Sequence, residues 1–213
     1  MPDKIFRSQW RGFFQRFPEK EKIEACRYML EQAKRDGKIL TGEIYCWQSN
    51  LFAYLEGIDE HANPEVVFAP LADYLSIWPG DKLCRWAPMM DVFHFNEPKD
   101  FEHWRRKVSP EKCVGKIGIL RPEMVASYIY YHYGLQEERT FCGDKYEIIA
   151  LHENILFGYF EIPEVIEAPL YEPRLKTKSM PENWKDAQIP SHFFPWENYK
   201  GSLLPMSSLF SQI

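Results

Sequence analysis

The chain has 213 residues, 45% hydrophobic and 27% charged, which provides for one large core or two small ones and argues against disorder. Its net charge of −5, with no basic block longer than Arg105-Arg106-Lys107, argues against a nucleic-acid partner or an anionic membrane surface. No apolar run nears the roughly 20 residues that span a bilayer. Residues 1–7 lack the apolar stretch of a signal peptide, and the five scattered cysteines form no Cys-x-x-Cys pair, so a cytoplasmic protein with reduced thiols and no zinc site is expected.

In chain order, residues near 5–14, rich in Phe and Trp, suit a first strand. Over 19–36 apolar residues recur at Ile23, Cys26, Met29, Leu30 and Ala33, a helical stripe ended by Gly37. Residues 43–56 read as two strands joined by a tight turn at Ser49-Asn50. Pro64 opens a second helical stretch through Leu75, stopped by Trp78-Pro79-Gly80, and a last strand is expected near 89–95. The order is βαββαβ over 1–97. A charged stretch, 98–112, suits a linker. The second half, 113–213, then opens with a strand near 114–120, a helix from Pro122 to about Glu138 and a hairpin over 145–162. Prolines interrupt 167–200, where no amphipathic period survives, and a strand near 205–212 closes the chain.

The halves echo each other. Leu51-Phe52-Ala53-Tyr54-Leu55-Glu56 returns 105 residues later as Leu156-Phe157-Gly158-Tyr159-Phe160-Glu161. Pro88-Met89 and Phe93 return as Pro205-Met206 and Phe210, in the same order, which favours duplication over chance. The fold class expected is α+β: two tandem ferredoxin-like βαββαβ units pairing within the chain as an α+β barrel, because two helices cover only one face of a four-stranded sheet.

Polar residues able to do chemistry concentrate in the second half. Met124, Val125, Tyr128, His132 and Leu135 share one arc of the helix after Pro122, with Tyr128 and His132 one turn apart. A phenol and an imidazole so placed can pass protons near neutral pH. The plainer reading is a core histidine bonded to a backbone carbonyl, with Tyr128 packing beside it. His152 ends a strand in phase with Tyr146, Ile148 and Ala150, and points towards that helix face or caps its turn in solvent. His94, between Phe93 and Phe95, reads as structural. There is no metal-ligand spacing, phosphate loop or nucleophile elbow.

The run from Arg121 to His132, followed by Tyr146 and the segment Asn154-Ile155-Leu156-Phe157 to Glu161, resembles the L-rhamnose mutarotase family. That resemblance implies a dimeric α+β barrel and Tyr128 with His132 as proton-transfer groups. It implies Tyr146 beside the sugar, Trp184 and Trp196 in place of the family's Trp-rich second helix, and no cofactor or metal. The proline-rich 167–200 segment departs from the family pattern, and so does the first copy, whose corresponding helix has Arg27-Tyr28 and no His. Two readings stand: a sugar mutarotase-like isomerase acting on a monosaccharide, or a non-catalytic small-molecule-binding or assembly module of the same barrel type. A homodimer is compatible with either. Any site is expected in the second copy, with residues of 167–200 closing over it.

Overall fold

A computed structural model describes residues 4–80, 82–175 and 187–212. The chain opens with β1 (Ile5–Phe13) and α1 (Lys20–Arg35). The expected stripe of α1 buries Ile23, Cys26 and Leu30, and Gly37, at φ +69, takes the left-handed turn beyond the helix end. A hairpin follows, β2 (Ile39–Trp47) and β3 (Asn50–Ile58), with Trp47 facing Asn50. Its turn is therefore Gln48-Ser49, one residue ahead of the expected Ser49-Asn50. Asn63 caps α2 (Pro64–Val67) by accepting from the Glu65 amide. The expected helix to Leu75 breaks at Phe68 and continues as a 3-10 turn, Ala69–Tyr74, because Pro70 near its start removes an amide donor.

The strand expected near 89–95 divides in two. β4 (Ala87–Pro88) pairs with β1, and β5 (Met90–His94) pairs with a strand of the second sheet. The bonds to β1 run one residue beyond Pro88, with Met89 N–H donating to the Gln9 carbonyl at 3.0 Å, before β5 begins. Then come α3 (Phe101–Trp104), β6 (Lys112–Ile119), a 3-10 turn over Pro122–Met124, α4 (Val125–Glu138) and β7 (Gly143–Asp144). The second hairpin is β8 (Ile148–His152) and β9 (Ile155–Ile162), followed by β10 (Ile166–Glu167), which pairs with β7. A 3-10 turn, Ile189–His192, precedes β11 (Leu204–Pro205) and β12 (Ser207–Ser208). The strand expected at this end also divides in two: β11 pairs with β6 and β12 with β2.

The architecture is α+β, with two five-stranded antiparallel sheets ordered β12-β2-β3-β1-β4 and β11-β6-β9-β8-β5. The chain forms two compact units, each discontinuous in sequence. Unit 1 is Met1–Met89, Pro98–Ser109 and Met206–Ile213; unit 2 is Met90–Glu97 and Pro110–Pro205. The boundaries read from sequence, 1–97 and 113–213 with a linker over 98–112, shift accordingly. Most of the charged stretch is part of unit 1, where Trp104 is fully buried and donates its indole N–H to Glu56 at 2.7 Å. Each unit has its own apolar core. Ile23, Leu30, Leu55, Leu71 and Trp86 centre the first. Val92, Phe93, Leu120, Ile149, Leu156 and Phe193 centre the second.

Candidate functional site

The helical spacing of Tyr128 and His132 brings their rings together: they stack with centroids 3.8 Å apart and planes 28° from parallel. The Nδ1 of His132 lies 2.9 Å from the carbonyl oxygen of Tyr128, one turn back. A carbonyl only accepts, so Nδ1 carries the hydrogen and Nε2 the lone pair. Tyr128 is 1% exposed and His132 7%, so neither meets solvent freely. Burial pulls the imidazole down to about 4, aided by the nearby His192 and opposed by the Tyr128 carbonyl. Burial also pushes the Tyr128 phenol up, and the charge of Glu147 adds to that. At neutral pH the pair is a protonated phenol against a neutral imidazole, one potential acid and one potential base.

Aromatic rings close around the pair. Phe93, from β5, meets His132 edge-on at 5.9 Å, and Phe193 meets Tyr128 edge-on at 5.6 Å. Phe193 follows the 3-10 turn Ile189–His192, so this part of the proline-rich stretch packs against Tyr128. Backbone bonds hold it there: Arg121 N–H donates to the His192 carbonyl, and Phe194 N–H to that of Ile119, each at 2.8 Å. His192 itself is buried, with Nε2 2.7 Å from the Ser127 hydroxyl. Neither Ser127 nor His192 stood out in the sequence. His192 sits where no periodicity survives, and serine in a first helical turn is commonplace.

The other expected site residues that are described, His152, Tyr146 and Trp196, make their contacts elsewhere. Ile149 and Leu151 pack with Tyr128 in one core, so alternation along β8 places Ile148 and His152 on the opposite face of the sheet. His152 thus faces away from His132. Tyr146 is buried beside Lys145, whose ammonium lies 5.6 Å from its ring centroid. The indole N–H of Trp196 donates to the Ser202 carbonyl at 3.0 Å, closing a local turn. Trp184 lies outside the described residues. His94 bonds Asp91 at 2.7 Å and lies 3.4 Å from Glu97, a polar cluster at the end of β5.

Unit 1 lacks the pair. The residues 105 positions before Tyr128 and His132 are Ile23, which is buried, and Arg27. Arg27 donates to the Phe210 carbonyl at 2.6 Å and lies 5.5 Å from the centre of that ring, as His132 lies against Phe93. Unit 1 instead has an open groove of ≈ 400 Å³ between α1 and the start of α2, lined by Tyr28, Gln32, Ile39, His61, Asn63 and Val66 among others. Among the described residues no group of three or more His, Cys, Asp or Glu could hold a metal ion. None of the described helices is long and apolar enough to cross a membrane. Comparison with known proteins finds no matching family model, no matching curated protein and no matching solved structure.

Proposed function

We propose that unit 2 is a sugar mutarotase-like isomerase, interconverting the anomers of a reducing monosaccharide by acid–base proton transfer. The observation that carries this reading is the Tyr128–His132 stack, 3.8 Å between centroids, with the histidine tautomer set by the Tyr128 carbonyl. Opening a sugar ring requires a proton given to the ring oxygen and another taken from the anomeric hydroxyl, then the reverse after rotation. A protonated phenol beside a neutral imidazole meets that need with no cofactor. Turnover requires Phe193 and its neighbours to yield, since they lie over the phenol.

The sheet order supports the ferredoxin-like part of the proposal. Leaving out β12 and β5, which come from the other half of the sequence, the order is β2-β3-β1-β4 in the first sheet and β8-β9-β6-β11 in the second, antiparallel throughout. That is the order expected when βαββαβ folds into one sheet with its first and third strands central. Pairing of the two units as an α+β barrel in one cytoplasmic chain completes the proposal.

The burial of Tyr128 and His132 favours a second reading, a non-catalytic binding module in which the imidazole is a satisfied core group. Saturation-transfer NMR on a panel of aldoses and deoxy sugars separates the two. The isomerase accelerates exchange between anomer resonances at catalytic protein concentration, without metal or nucleotide. Chemical-shift changes on sugar binding, with exchange at the buffer rate, would support the binding module and overturn the isomerase.

A further inference from the structure

Two groups beside Tyr128, Ser127 and His192, are arranged as tightly as the stacked pair. We propose that they form a second proton-handling pair in unit 2, with the Ser127 hydroxyl meeting the anomeric hydroxyl of a reducing sugar and His192 as the base behind it. This rests on the mutarotase-like reading and assigns the Tyr128–His132 pair to the ring oxygen.

The hydrogen-bond geometry sets the direction of proton flow. His192 is 4% exposed, and its Nδ1 lies 3.3 Å from the carbonyl oxygen of Gln188. Since that oxygen cannot donate, Nδ1 carries the hydrogen and Nε2 is left as an acceptor. Ser127 Oγ stands 2.7 Å from Nε2 and 3.1 Å from the Met124 carbonyl, so its single proton has its shorter path to the imidazole. Gln188, at φ +48, turns the chain so that its carbonyl accepts from both His192 and the Ser191 hydroxyl. The backbone bonds at Arg121 and Phe194 fix the ring's position further. Such preorganisation is what a proton relay needs.

Placement and access agree with this. The His192 ring lies 6.4 Å from that of Tyr128 and 6.2 Å from that of Tyr131, and Ser127 directly precedes Tyr128 on α4. Ser127 is half-buried as a residue, whereas Tyr128 and His132 are buried. His132, with its basicity cut by burial, is a weak acceptor at neutral pH.

The step balances. The anomeric O–H proton passes to Ser127 Oγ as the serine's own proton passes to His192 Nε2. The Tyr128 phenol gives its proton to the ring oxygen, the bond between that oxygen and the anomeric carbon breaks, and an open-chain aldehyde forms. After rotation the sugar hydroxyl adds to the other face, returning its proton to Tyr128, while His192 returns the other through Ser127.

The test measures anomer exchange with the full chain and its Ser127→Ala and His192→Ala variants, each checked for fold by circular dichroism. Each variant should lose about 10²-fold or more in kcat, the range of general acid–base groups, with KM changed little. Added imidazole should restore part of the rate to His192→Ala and none to Ser127→Ala. A pair that only pins the 189–194 segment to α4 would show no such rescue, and its absence in a folded His192→Ala variant overturns the proposal. Should that variant not fold, full activity in Ser127→Ala overturns it alone. A wild-type chain inactive on every sugar brings down the mutarotase-like reading and this pair with it; an active wild type with active variants brings down only the pair.

Discussion

Glu56 and His132 show two opposite ways of keeping an ionisable group inside an apolar unit. Glu56 is fully buried yet stays charged. Burial alone would raise its pKa, but the Arg106 guanidinium, together with bonds from Tyr54 and Trp104, holds it below the usual carboxylate range. His132 instead stays neutral, its pKa depressed towards 4 by burial. Replacing Arg106 by Ala leaves the Glu56 charge without its counterion and should cost about 3–5 kcal/mol, measured by urea unfolding at pH 7. Both groups make the fold acid-sensitive, His132 from the higher pH and Glu56 from the lower. With a folded pKa below its unfolded value, His132 contributes stability that is present above 6.5 and fades as pH falls towards about 4. That interval corresponds to a loss on the order of 3 kcal/mol. Glu56 adds stability above the ordinary carboxylate value of 4.5, lost only as pH falls through its lower folded value. A His132→Phe variant should therefore show a flatter unfolding free energy between pH 6.5 and about 4 than the wild type, and the same loss below that. Equal slopes in the upper window would contradict the burial account of His132.

At the scale of elements, the two hairpins turn in the same way. Gln48 and Glu153 both begin two-residue turns with positive φ, +52° and +58°, where a side chain is strained and glycine is not. Gln48→Gly and Glu153→Gly should each raise stability by about 0.5–1 kcal/mol, less whatever the more flexible unfolded chain takes back. Thermal unfolding would register this as a small rise in Tm, and a fall would show that the side chains make compensating contacts. These hairpins, with α1 and α4, were legible because their apolar residues keep one period over many positions. The Leu-Phe-x-Tyr-x-Glu echo also fixed their spacing. The broken second helix was less legible, since the stripe from Pro64 to Leu75 is apolar enough for a helix and only Pro70 signals the change. The turn at Gln48 was missed by one residue because Ser-Asn is the better turn dipeptide, while the register is set by side-chain alternation along the strands. Of the site, Tyr128 and His132 were legible from a four-residue spacing. Ser127 and His192 meet through the backbone path of an aperiodic segment, which carries no sequence period to read.

At the scale of the whole chain, neither half contains the parts its unit requires. Unit 1 draws Leu209, fully buried in its core, from the C-terminal end, and the Glu56 partners Trp104 and Arg106 from the charged stretch. Unit 2 draws Val92 and Phe93 from before that stretch. Reading 98–112 as a linker missed this, because the charged residues on both sides of Phe101–Trp104 hide one buried tryptophan. Fragments cut at the apparent boundary, 1–97 and 113–213, should each lack native dispersion in a proton–nitrogen NMR spectrum. A well-dispersed spectrum from either would show that the borrowed segments are dispensable.

The central claim, that unit 2 moves protons on a reducing sugar, is tested most directly by the anomer-exchange rate of the wild type against a Tyr128→Phe, His132→Asn double variant. Both substitutions keep ring or amide bulk in the core while removing the titrating atoms, so the fold should persist. The account predicts exchange well above the buffer rate in the wild type, falling about 10²–10⁴-fold in the double variant with the sugar still bound. Wild-type exchange that survives both substitutions in a folded protein would contradict it.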